Sequence, residues 1–179
     1  MDAAITIRLA TPADALEIAR VRVNSWRTTY LGIVADQTLA DLSVERGAES
    51  WRQQLIALQP GRTTFVAVQG ESIIGFAAGG PERSGDTQYK GEIYALYLLQ
   101  AFQRQGIGRK LVDVSVESLL VNGLSSMLIW VLRDNPSRKF YEALGGLYLR
   151  EQAIDINDQS LMEVAYGWKD ISVLVGKHA

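Results

Sequence analysis

Residues 92–111 read Glu92-Ile93-Tyr94-Ala95-Leu96-Tyr97-Leu98-Leu99-Gln100-Ala101-Phe102-Gln103-Arg104-Gln105-Gly106-Ile107-Gly108-Arg109-Lys110-Leu111, a strand that runs through a glycine turn into a helix. Aliphatic and aromatic residues over 92–98 suit a strand, and helical character follows over 106–121 until Asn122-Gly123 closes it. Residues 126–132 are almost wholly apolar and read as a strand buried on both faces. Together these make a βαβ unit. Its strands are expected to lie parallel or nearly so, joined by a right-handed crossover, with the glycine turn at their carboxyl ends.

On the amino-terminal side, residues 5–9 alternate apolar with polar as a short strand, and Thr11-Pro12-Ala13-Asp14 is a helix start. Helical patches follow around Leu16 to Trp26, over 36–42 and over 44–58, the last ended by Pro60-Gly61. Strands over 63–68 and 72–78 are separated by Gln69-Gly70 and predict an antiparallel hairpin, followed by a polar loop over 81–88. Beyond the βαβ unit, Asp134-Asn135-Pro136 leads into a short helix over 137–144, stopped by Gly145-Gly146, and strands over 147–156 and 160–168 finish the chain. The expected class is α/β, with a mixed sheet of about seven strands flanked by helices.

A turn between a strand and a helix offers free backbone N–H groups and the positive end of the helix dipole, both suited to a phosphate. A Walker A loop needs a Lys-Ser/Thr pair after the last glycine, whereas Gly108 is followed by Arg109-Lys110-Leu111. A dinucleotide fingerprint needs a third glycine where Leu111 stands. The run instead resembles the Q/R-x-x-G-x-G/A signature of the GCN5-related N-acetyltransferases (GNAT), matched by Gln103, Gly106 and Gly108. The likeness extends from about Ile5 to Trp168 and is closest over 92–146.

That resemblance implies a single N-acetyltransferase domain over 1–179 with the acyl-CoA N-acyltransferase fold, and acetyl-CoA as cosubstrate. It places the pyrophosphate on Gln103, Arg104, Gln105, Gly106, Ile107, Gly108 and Arg109, and the pantetheine against the backbone around Leu96, Leu98 and Leu99, with Asn135 and Ser137 nearby. Family members that acetylate histones carry a glutamate base eleven residues before the glutamine, where Glu92 stands. By strand alternation Glu92 would share a face with Tyr94, Leu96 and Leu98; a strand-end carboxylate paired with Lys90 is the plainer reading. The segment from Asn135 to Gly145 is similar to the family's N-x-x-(A/S)-x-x-x-Y-x-x-x-G, in which the tyrosine, here Tyr141, protonates the CoA thiolate. Without the resemblance, Tyr141 beside Phe140 would read as core and Asn135 as a helix cap.

Trp26, Tyr30 and Gly32 occupy a segment that looks like that of the Pai-type polyamine acetyltransferases, so the aromatic pair is a candidate acceptor wall as well as a candidate core contact. Asp36, Asp41 and Glu45 nearby are more usually a solvated face but could attract an amine, and with the aromatic pair they favour a small primary amine or polyamine as acceptor. A peptide or protein amine, or an acyl-CoA sensor without turnover, is the alternative. A net charge of −2 gives no basic field for nucleic acid, and no stretch is long and apolar enough to span a membrane. The start Met1-Asp2-Ala3-Ala4 lacks a basic leader, and the chain has no cysteine; both fit a cytoplasmic protein. His178, the sole histidine, sits next to the end and supports neither a catalytic triad nor a metal site, so no metal is expected. A homodimer would be in keeping with the family.

Overall fold

Asp14 fixes how the first helix begins. Its carboxylate accepts from the Thr11 backbone N–H (2.7 Å) and hydroxyl (3.0 Å), and from both terminal nitrogens of Arg8 at 2.8 Å. Strand β1 (Ile5–Leu9) is thereby clamped to a 3₁₀ turn, Pro12–Asp14, and the chain passes into α1 (Ala15–Thr29). The computed structural model describes residues 4–176; His178 and Met1 to Ala3 lie outside the described residues.

Two short helices follow, α2 (Asp36–Ala40) and α3 (Val44–Ile56), the second opened by the Ser43 hydroxyl accepting from the Arg46 N–H. Then come β2 (Thr63–Gln69), β3 (Ser72–Pro81), β4 (Gly91–Leu98), α4 (Ile107–Val121), β5 (Met127–Leu132), α5 (Arg138–Ala143), β6 (Leu147–Ile156) and β7 (Gln159–Trp168). The strands form one mixed seven-stranded sheet in the order β1-β2-β3-β4-β5-β7-β6. Every neighbouring pair is antiparallel except β4 with β5, the pair belonging to the βαβ unit.

Helices cover both faces. Ile18 and Val21 of α1 pack on Phe76, Ala95 and Tyr97, whereas Ile107 and Leu111 of α4 pack on the alternate residues Ala77, Leu96 and Leu98. Further along α4, Val112 and Val116 join Ile129, Tyr166 and Trp168 in the core beneath β5 and β7. The seam between the halves is short: β4 pairs with β5 only at Gly91↔Met127 and Glu92↔Leu128. Beyond that seam, the segment after α1 reaches over to the other half-sheet. The Ala35 N–H donates to Gln159 Oε1 (2.8 Å), Gln159 Nε2 to the Ile33 carbonyl (3.2 Å), and Asn157 Nδ2 to the Thr38 hydroxyl (3.0 Å). No described helix is long and apolar enough to cross a membrane.

The Arg8 ion pair, helped by the Thr11 N–H, outweighs the opposing effect of burial and holds the Asp14 carboxyl at about 2. A carboxyl depressed in the folded state stabilises above its unfolded value near 3.9, and that stability is lost as pH falls through the folded value. Asp14→Asn is therefore expected to cost about 1–2 kcal/mol at pH 7, allowing for the half-exposed Arg8. Urea melts from pH 7 downwards should show the gap to wild type closing between about pH 4 and pH 2.

Candidate active site

Past Glu92 and Leu128 the two strands diverge, and the edge of β4 facing β5 loses its hydrogen-bonding partner. A cleft of about 990 Å³ opens there, bordered by Leu96 and Leu98 on one side and Ile129 and Val131 on the other. The register of β3 against β4 also slips, from Ala78↔Ala95 to Gly79↔Ile93, so Tyr94 is an extra, bulged residue. The bulge overturns one expectation. Strict alternation put Glu92 on one face with Leu96 and Leu98, but Ile93 packs with Val112 and Val116 of α4, and so do Leu96 and Leu98 with Ile107 and Leu111. Glu92 thus points to the opposite face, that of Ala95 and Tyr97.

At the open end of the cleft, past the carboxyl end of β4, the chain turns tightly into α4. Arg104 (φ 63°) and Gly106 (φ 78°) both adopt left-handed conformations, and Gly106 caps the helix. Gln103 Nε2 donates to the Leu98 carbonyl (3.2 Å) and Gln105 Nε2 to the Ala101 carbonyl (3.1 Å), so the two amides knit the turn. The N–H groups that open α4 are left for a ligand. Gly106 is explained by its backbone angle. Gly108 is not, because a Cβ there would meet nothing closer than the Phe140 ring at 3.6 Å, an ordinary contact. The fold has no need of glycine at 108, whereas close approach of a phosphate does.

Gln103, Arg104, Gly106, Gly108, Arg109, Asn135 and Ser137 all border the cleft. Leu99, Gln105 and Ile107 do not. The Leu99 N–H is used by the Ile74 carbonyl (2.9 Å), Gln105 turns back on Ala101, and the Ile107 side chain is buried under α4. Arg109 is also committed, through Nε to Asp113 (2.8 Å) and through Nη2 to the Leu174 carbonyl (2.6 Å), which leaves its backbone N–H for the turn. Arg104 and Lys139, both exposed at the rim, are the side chains placed to meet an anion.

Along the other wall a polar network joins segments distant in sequence. Trp26 Nε1 donates to the Tyr97 hydroxyl (2.9 Å), the Trp26 and Tyr30 rings meet edge-on with centroids 4.8 Å apart, and Asn135 Nδ2 donates to the Tyr30 hydroxyl (3.3 Å). Asn135 also accepts the Ser137 N–H (2.8 Å), capping the approach to α5. Tyr141, buried in α5, borders the same cleft. Burial pushes its hydroxyl well above the usual phenol range, and the nearby Tyr97 adds to this. Burial likewise raises Tyr30, and Tyr97 against the opposing pull of the Trp26 N–H.

Glu92 is 3% exposed and is held by Arg83, which donates from its backbone N–H (3.2 Å), Nε (3.1 Å) and Nη2 (2.5 Å). Lys90 is not its partner; the Lys90 ammonium donates to the Asp86 carbonyl. Sequence reasoning missed Arg83, Tyr97 and Lys139. Arg83 lies in a polar loop with no pattern of its own, and Tyr97 reads as an ordinary strand aromatic.

Residues 23–146 match the Acetyltransferase (GNAT) family. The chain belongs to that family. It is 40% identical over 171 residues to YuaI, an uncharacterized N-acetyltransferase of Bacillus subtilis, covering 95% of this chain and 96% of that one. The fold is also that of PaiA N-acetyltransferase from Thermoplasma acidophilum, solved in complex with coenzyme A. There the TM-score is 0.69 at 20% identity, over 90% of this chain and 98% of that one. YncA of Salmonella typhimurium, solved with its cofactor acetyl-CoA, gives a TM-score of 0.69 at 20% identity over 92% of this chain and 93% of that one. This GNAT member is an acetyl-CoA-dependent N-acetyltransferase.

Gly108 supplies a test in which stability and binding move in opposite directions. Gly108→Ala lies in the first turn of α4 and is expected to raise the melting temperature by about 1–3 °C through helix propensity. A pyrophosphate bound at this turn would meet the added methyl group, so the additional rise produced by saturating acetyl-CoA in wild type is expected to shrink in this variant and to vanish in Gly108→Asp. Thermal melts with and without acetyl-CoA measure both effects.

Proposed function

We propose that this cleft transfers the acetyl group of acetyl-CoA directly to a primary amine of a small molecule, within a single domain acting in the cytoplasm. The observation that carries the reading is a glycine the fold does not require, Gly108, on a helix N-terminus at the open end of a split sheet. A backbone edge without a partner strand, together with a pre-ordered set of N–H groups, fits an extended pantetheine ending in a pyrophosphate.

In this reading the N–H groups around Gly106 and Gly108 hold the pyrophosphate, with Arg104 and Lys139 at the rim. The free edge of β4 near the bulge at Tyr94 holds the pantetheine and donates to the thioester oxygen, on which negative charge grows as the amine attacks. Collapse of the tetrahedral species breaks the C–S bond, and the Tyr141 hydroxyl gives its proton to the departing sulfur. Burial keeps that hydroxyl protonated across the working range of pH. Glu92 takes the amine's proton through one water. Arg83 holds its carboxylate in place on the cleft wall, where an incoming ammonium would meet it.

Tyr141→Phe retains the ring and removes the proton, so kcat is expected to fall by roughly 10²–10⁴-fold with acetyl-CoA affinity little changed. Thiol release under single-turnover conditions, beside an acetyl-CoA titration, checks the split; wild-type turnover would return Tyr141 to the core. Glu92→Gln should lose kcat/KM most at low pH and recover in part as rising pH supplies neutral amine, whose pKa is about 10.4 for a lysine-like group. Profiles from about pH 6 to 10 for both proteins test this, and parallel curves would assign the proton to another group.

A further inference from the structure

Asp36, Asp41 and Glu45, the acids that the sequence offered for attracting an amine, do not border the cleft. Asp41 accepts from Gln37 (2.8 Å) and Glu45 from the Ser43 hydroxyl (3.0 Å), both at exposed positions. Two other carboxylates do border it, Glu92 and Glu163. Glu92 pairs across the sheet with Leu128, and Glu163 on β7 pairs with Leu132. Leu128, Trp130 and Leu132 alternate along β5 with Ile129 and Val131, which pack beneath α4, so both glutamates lie on the opposite face of the sheet. That face is the one on which Tyr30 and Val34 meet Leu132.

The two glutamates are held differently. Asp14, Asp86, Glu92 and Asp113 each meet an arginine at 2.8 Å or less. Glu163, partly buried, has Gln152 Nε2 (2.7 Å) as its hydrogen-bond partner among the described residues, and that amide carries no charge. Arg150, two residues before Gln152 on β6, is taken by Asp86 and stands over the Trp130 ring at 5.3 Å. Around Glu163 the cleft wall is Trp130, Leu132, Ile154 and Ile156, ring and methyl surface. A carboxylate in such surroundings has lost part of its hydration, and a cation arriving beside it restores the balance. Strand pairing does not ask for a charge there, since Leu132 across the ladder is aliphatic.

Taking the cleft as the acetyl-transfer site proposed above, we infer that Glu163 selects the acceptor, pairing with a second ammonium that an apolar spacer separates from the reacting amine. The reacting amine stands on the Glu92 side, the spacer lies along Trp130 and Leu132, and the far ammonium reaches the Glu163 carboxylate. The register sets the spacer. Leu128 and Leu132, the partners of the two glutamates, are four residues apart on β5, about 13 Å at about 3.3 Å per residue. A water beside Glu92 and the reach of the two side chains take up part of that length. A six-carbon diamine, about 8 Å when extended, spans the rest, and a three-carbon one, about 5 Å, does not.

The test uses two matched pairs, 1,6-diaminohexane with n-heptylamine and 1,3-diaminopropane with n-butylamine, each pair equal in length and differing in an ammonium against a methyl. With acetyl-CoA and wild-type enzyme, kcat/KM for the six-carbon diamine is expected to exceed that for heptylamine by roughly fivefold or more, chiefly through KM. The three-carbon diamine should gain no more over butylamine than two equivalent ends supply. Glu163→Gln keeps the shape and removes the charge, so it should bring the six-carbon ratio down to that same statistical advantage, and Glu163→Lys should carry it below one. Thermal melts with acetyl-CoA establish that each variant is folded and loaded. A six-carbon ratio that is no larger than the three-carbon one in wild type, or that survives in Glu163→Gln, overturns the inference while leaving the acetyltransferase reading standing. A melting shift with acetyl-CoA but no thiol release on any of the four amines overturns the amine reading itself, and this inference with it.

Discussion

Two residue pairs, Gly91↔Met127 and Glu92↔Leu128, are all that join the two halves of the sheet through strand pairing. Sheets normally extend their ladders as far as the strands run, because every unpaired N–H and C=O left inside a protein costs free energy. Here the ladder stops and an edge stays open in the interior, which is tolerable only where water or a ligand can reach it. The glycine turn, the buried Tyr141 and the Trp26–Tyr97 contact all take their places relative to that divergence. α4 bridges the halves on one face, contributing Leu111 to the core beneath β3 and β4 and Val116 to the core beneath β5 and β7.

Features local in sequence were legible. Strand alternation, the helix stop at Asn122-Gly123 and the glycine turn placed seven strands and the βαβ unit close to where they stand, and the glycine pattern separated this turn from two other kinds of phosphate loop. The bulge at Tyr94 was not legible. A single inserted residue leaves the pattern of side-chain types unchanged, yet it reverses which face every later residue points to, and so misplaced Glu92 relative to Leu96. Long-range pairing was equally hidden. Trp26 and Tyr97 are 71 positions apart and Tyr30 and Asn135 are 105 apart, and no periodicity connects them. Arg83 belongs to the same class, since a loop arginine acquires meaning only once the hairpin brings it against Glu92.

Electrostatics on the two walls differ in kind. At the glycine turn an anion would meet backbone dipoles and the rim side chains of Arg104 and Lys139, whereas Arg109 is turned towards Asp113 and Leu174. On the opposite wall Glu92 is compensated by Arg83, Glu163 is held by the neutral Gln152 amide, and Tyr30 and Tyr141 carry hydroxyls whose titration burial has moved away from neutrality.

The ties from Ala35, Ile33 and Thr38 to Gln159 and Asn157 have a mechanical meaning. Two half-sheets meeting at a two-pair seam would by themselves be a pair of jaws on a hinge. The ties run across the mouth of those jaws, from the chain that follows α1 to the β6–β7 turn, and convert an open linkage into a closed ring of rigid parts. In a closed ring the gape is set by the lengths of its members. A ligand entering it therefore finds the jaws already set apart, and the ordering of the frame has been accomplished by folding rather than drawn from the free energy of binding.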